Sequence, residues 1–137
     1  MNGSNSTLLG YLMGGIMPKN MHNDEFIVHI KDLLDPFGDV TLRFMFGGYS
    51  IYKSGVIFGL IADQELYFKA NADAAKFFQA SGSEQFAYES RGKKIKMCYW
   101  KVTAEALESQ ELLRKWFDAA YDSALKQVTK RKKKITD

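Results

Sequence analysis

Cys98 is the only cysteine in this 137-residue chain, and it lies in the run Lys94-Ile95-Lys96-Met97-Cys98-Tyr99. A thiol near ammonium groups is a setting in which a reactive thiolate can form. Nucleophilic catalysis also needs a base, and the base needs an orienting partner. The two histidines, His22 and His29, sit far upstream and seven residues apart, and no pattern joins them to Cys98, Ser50 or Ser54 in triad fashion. Two histidines and one cysteine also fall short of the ligand sets that hold zinc. Gly47-Gly48 belongs to neither of the glycine patterns that cradle phosphates, so a bend or bulge in a strand is expected there. Asp24-Glu25 and the pair Glu105 and Glu108 read as charges near helix N-termini. Cys98 is expected to be a buried or half-buried inert thiol, because Met97 and Tyr99 suggest a strand packed into the fold. The chain is therefore read as a non-enzyme, with no catalytic residue, cofactor or metal.

The basic residues have wider functional reach. Arg91, Lys93, Lys94 and Lys96 gather on one expected hairpin, and Lys126, Lys130, Arg131, Lys132, Lys133 and Lys134 crowd the C-terminal end. The net charge of +3 hides an asymmetry. Residues 1–125 hold 13 basic and 15 acidic residues, a balance of −2, whereas residues 126–137 hold six basic residues and one acid, a balance of +5. Such a tail can neutralise phosphates and bind nucleic acid without reading sequence. It can equally be a solvated terminus that favours solubility. No aromatic residue interleaves it, so base stacking is not expected there.

These groups must be positioned by the rest of the chain. Phe26, Ile27, Ile30, Leu33 and Leu34 recur at helical spacing after Asn23 or Asp24, predicting a helix over residues 23–37 that Pro36 and Gly38 terminate. Strand patterns follow over 42–46, 49–52, 56–62 and 65–70, with turns at Lys53-Ser54-Gly55 and Asp63-Gln64. Asn71 is placed to cap a short helix over 72–80, with Gly82 beyond its end. Further strands are expected over 85–89 and 93–99 around an Arg91-Gly92 turn, then a turn of helix capped by Thr103. A last helix over 109–126 carries Leu112, Leu113, Trp116, Phe117, Ala120, Ala124 and Leu125 on one face.

The pattern predicts an α+β fold, an antiparallel sheet of about five strands covered by N- and C-terminal helices. Aromatic residues make up 14% of the chain, enough large rings for a core without disulfides. Residues 21–126 are read as the domain, residues 1–20 as a disordered N-terminal extension and residues 127–137 as a disordered basic tail. The apolar stretch 7–17 lacks the basic flank of a secretory leader and is too short for a membrane span. A cytoplasmic location without membrane contact is expected, in keeping with the single thiol.

The stretch Arg43-Phe44-Met45-Phe46-Gly47-Gly48-Tyr49-Ser50-Ile51-Tyr52 resembles the signature of the TfoX N-terminal domain family. Gly55-Val56-Ile57-Phe58, Leu66-Tyr67-Phe68-Lys69, Gly82-Ser83-Glu84-Gln85-Phe86-Ala87-Tyr88, Tyr99-Trp100-Lys101-Val102 and the helix from Leu112 to Trp116 follow in the expected order. The resemblance spans roughly residues 23–125. It implies an α+β domain akin to the YjbR-like group, in which Arg43, Met45, Phe46, Gly47, Gly48 and Tyr49 form a structural motif. It also implies a co-activator of bacterial competence genes that works through a protein partner, the cyclic-AMP receptor protein. The family commonly has Pro where Thr103 stands, and its full-length regulators carry a second, C-terminal domain. Two functions of different classes stay open: a regulatory adaptor with a protein partner, and a nucleic-acid-binding module that uses the basic tail.

Overall fold

The computed structural model describes the backbone of residues 16–45 and 47–136 and the side chains of residues 25–45 and 47–130. The first helix, α1, runs from Ile16 to Leu34. It begins earlier than the expected residue 23 and takes in residues 16–20; residues 1–15 lie outside the described residues. Pro18 falls in the first turn, where the missing amide hydrogen has no helical partner to lose. Ile30 and Leu34 are buried and Val28 is exposed. This helix belongs to a compact unit that ends at Leu34, and residues 35–137 form another.

The second unit opens with a 3-10 turn, Asp35–Phe37, and continues as a six-stranded sheet. Its strands are β1 (Val40–Met45), β2 (Gly48–Lys53), β3 (Val56–Ala62), β4 (Glu65–Lys69), β5 (Gln85–Ser90) and β6 (Lys93–Lys101). They lie in the order β1-β2-β3-β4-β6-β5, every neighbouring pair antiparallel. The α+β reading holds, with six strands rather than about five. Three hairpins turn on residue pairs with positive φ: Ser54-Gly55, Asp63-Gln64 and Arg91-Gly92. Turns of that hand match the right-handed twist of the strands they join.

Register assigns each side chain to a face. Val40, Leu42 and Phe44 lie opposite Lys53, Ile51 and Tyr49. Ile51 then faces Gly59, which faces Phe68, which faces Trp100. An irregularity at Ile51 and Tyr52 skips Phe58, and that ring turns toward the helices and meets Phe117 at 5.1 Å. The opposite face carries Arg43, Met45, Ser50, Tyr52, Leu60 and Tyr67. Arg43 lies over the Tyr52 ring and the Ser50 hydroxyl points to the Met45 sulfur at 3.9 Å.

Three helices complete the unit: α2 (Ala72–Ala80), α3 (Ala104–Leu107) and α4 (Gln110–Thr136). Asn71 and Thr103 cap the first two as expected, accepting from the amides of Ala74 and Ala106. The long helix α4 packs on β3, β4, α2 and α3. Leu113, Trp116, Phe117, Ala120 and Ala124 are buried along it, whereas Leu125 is exposed and Ser123 takes a buried place. Trp116 stacks on Phe78 of α2 at 4.4 Å. Lys53 closes the other end of the core: its ammonium donates to the Phe37 carbonyl and lies over the Phe117 and Tyr121 rings. The helix does not stop at residue 126. It continues through Lys126–Thr136, where a disordered tail is expected, because Lys, Arg and Gln favour helix even where no apolar face continues. Among the described residues no helix is long and apolar enough to cross a membrane.

Candidate functional site

Gly47 and Gly48 do not make a bulge. They close the β1–β2 hairpin, in which Met45 pairs with Gly48. Gly47 has φ +81° with open space around it, so glycine is favoured there for its backbone angle alone. Gly48 is constrained differently: a Cβ there would run into the Ile61 carbonyl oxygen on β3. Phe46 lies outside the described residues. Around this corner Met45, Gly48, Ser50, Leu60, Phe86 and Tyr88 frame a groove of about 600 Å³ on the sheet face away from α4. Residues from β1 and β5, the two margins of the sheet, line it together, so the sheet curls enough to bring them to one surface. Met45 and Tyr88 are exposed there.

Tyr67 stands on the same face, its ring edge-on to Phe86 at 4.7 Å. Burial, with the Glu65 carboxylate beside it, pushes its hydroxyl above the ordinary tyrosine range. Glu65 is itself paired with Lys101 at 3.3 Å. Arg43 and Tyr49 of the signature fall on opposite faces of the sheet, so the motif is a structural corner and not one cluster of side chains.

The hairpin cations are not a single patch either. Arg91 occupies the turn, Lys93 points to the face of Ile95 and Met97, and Lys94 and Lys96 point to the face of Cys98. All four are exposed. Lys94 lies directly opposite Glu89 in the register, which offsets part of its field. Farther along the chain, Lys126 pairs with Asp122 at 3.1 Å, and Lys130 stands one turn beyond on α4. Arg131, Lys132, Lys133 and Lys134 follow on the same helix, their side chains outside the described residues.

Cys98 is exposed, which corrects the expectation of a buried thiol. The alternation along β6 is as expected, but burial sets in only at Tyr99 and Trp100, and Lys93–Cys98 are exposed or half-buried. Among the described residues no three His, Cys, Asp or Glu side chains gather to hold a metal ion.

The profile of the TfoX N-terminal domain matches residues 32–124, from the end of α1 to the buried part of α4. The chain belongs to that family. It is 25% identical over 101 residues to Protein Sxy of Escherichia coli strain K12, across 74% of this chain and 48% of that protein. The chain thus spans about half the length of the curated relative that it matches.

Proposed function

We infer that this chain is a regulatory domain that serves control of bacterial competence genes through a protein partner bound at the groove. Membership of the TfoX N-terminal family and the likeness to Protein Sxy support the regulatory reading. The observation that carries the groove is its composition: signature residues Met45 and Gly48 meet exposed Tyr88 and half-buried Phe86 in one apolar concavity. Aromatic residues and methionine are enriched where protein surfaces meet. By family resemblance the partner is the cyclic-AMP receptor protein. Met45→Glu and Tyr88→Glu change exposed side chains and leave the core alone. Each is expected to weaken capture of that receptor protein by about tenfold or more, the loss typical of a contact near the centre of an interface. Wild-type capture by both variants would overturn the groove as the docking surface.

A second reading concerns nucleic acid. The continuous α4 holds the basic residues from Lys126 onward on one rigid element rather than on a loose chain. A helical row of cations can follow a phosphate backbone without contacting bases.

A further inference from the structure

The sheet has two open margins, β1 and β5, and they are built differently. β5 carries Glu89 and a register irregularity between Gln85 and Ala87, features that shield an edge from unwanted pairing. β1 has neither. Its register against β2 is unbroken from Val40 to Met45, it contains no proline, and Arg43 is its only charge. Met45 and Gly48 close their hairpin with two residues between them, so they exchange backbone hydrogen bonds, as do Arg43 with Ser50 and Thr41 with Tyr52. The amides and carbonyls of Val40, Leu42 and Phe44 therefore point outward from the sheet. Phe44 is 69% exposed on the face where Val40 is buried.

The occupant of this edge follows from the order of residues 39–43, Asp-Val-Thr-Leu-Arg. Laid antiparallel against itself with Thr41 opposite Thr41, the segment sets Asp39 opposite Arg43 at both ends and Val40 opposite Leu42 between. Val40 and Leu42 are the residues with outward backbone groups, so their pairs carry hydrogen bonds in each direction. Opposite charges and threonine pairs across strands are among the contacts that stabilise an antiparallel ladder. Asp39 and Arg43 are both exposed, and neither is in an ion pair among the described residues. Arg43 rests over the Tyr52 ring. An axis through Leu42 instead would set Met45 opposite Asp39 and Arg43 opposite Thr41, so charge selects the first register. We propose that β1 is a homodimer interface: the β1 of a second copy of this chain joins it antiparallel, across a two-fold axis at Thr41, and the two sheets become one. The pairing leaves Met45 and the groove outside it and does not rest on the groove reading.

A contact of this size belongs with the weak and transient interfaces, so sedimentation of the full chain from about 5 to 500 µM should show monomer passing into dimer. Asp39→Arg and Arg43→Asp each set like charges opposite one another at both ends. Each is expected to weaken the dimer by about tenfold or more. The double variant Asp39→Arg, Arg43→Asp is expected to restore it. So is an equimolar mixture of the two single variants, in which every charge again faces its opposite. Both positions are exposed, and the fluorescence of buried Trp116 reports that the fold is kept. Hydrogen exchange at the amides of Val40 and Leu42 should slow several-fold as concentration rises, and at Thr41 and Arg43, already bonded to β2, it should change less. A wild-type chain that stays monomeric throughout overturns the proposal and leaves the edge to a strand of another protein. A dimer that both single variants form as readily, or that leaves exchange at Val40 and Leu42 unchanged, also overturns it, since the contact then lies elsewhere. Failure of both the double variant and the mixture to regain the dimer overturns it too.

Discussion

The backbone amide of Asn71 donates to the Ser123 hydroxyl at 3.1 Å, and that hydroxyl donates in turn to the Ala119 carbonyl at 2.8 Å. Asn71 is also the cap of α2, its Oδ1 accepting from the Ala74 amide at 2.9 Å. One small side chain on α4 therefore fixes the point where β4 gives way to α2. Ser123→Ala leaves the Asn71 amide without its acceptor, at a cost of about 1–3 kcal/mol. Urea denaturation should show the loss as a lower midpoint with an unchanged slope. An unshifted midpoint would mean that water replaces the hydroxyl.

The two glycines of the first hairpin should respond differently to alanine. At Gly48 the obstacle is the Ile61 carbonyl, a backbone atom that cannot swing aside. Gly48→Ala is expected to cost about 1–3 kcal/mol as overpacking. At Gly47 there is room, and only the positive φ penalises a side chain, by about 1 kcal/mol. Thermal melts of the two variants would refute this division if Gly47→Ala proved the more damaging.

Tyr67 gives a pH test. Its hydroxyl titrates above the ordinary value of 10.0, through burial first and Glu65 second. The folded state thus holds that proton more tightly than the unfolded chain does. The resulting stability is fully present below the ordinary tyrosine value and is lost as pH rises through the higher folded value. Tyr67→Phe should therefore lose less stability on moving to alkaline pH than the parent does. Parallel declines in the two proteins would remove Tyr67 as the cause.

Truncation after Leu125 tests the helical end. Circular dichroism should show a fall in helical signal per molecule, because Lys126–Thr136 is helix and not coil. Binding of duplex DNA by the full chain should weaken with salt along a log–log slope no steeper than about −5, for any sequence, and vanish on truncation. Sequence-preferring binding by the shortened chain would move the contact to Arg91, Lys93, Lys94 and Lys96.

Features written in consecutive residues were legible. The alternation over Glu65–Lys69, the caps at Asn71 and Thr103, and the three short turns depend on local chemistry, and each stands where its residues imply. Alternation also sorts β6 into two faces, but it cannot say how far along the strand either face is covered, and Cys98 is exposed for that reason. Apolar periodicity marks the buried length of α4 and is silent about its polar continuation. Ser123 reads as a solvent-facing residue until a distant amide is placed against it. The groove draws on residues far apart in the chain, such as Met45 with Tyr88, and no spacing rule unites them.

The strand order has a consequence for assembly. From β1 to β4 each strand pairs with the one just before it, through the shortest of loops, whereas β6 reaches β4 only after α2 and β5 have been threaded. Local pairings close at little entropic cost and distant ones at more, so the four-strand meander should form first and the β5–β6 hairpin should dock late. Until it docks, the outer edge of β4 stays open, with the backbone groups of Tyr67, Phe68 and Lys69 ready to pair with any passing strand. Refolding yield should therefore drop with protein concentration most steeply in variants that slow docking, such as Trp100→Ala, whose native stability alone would not forecast it.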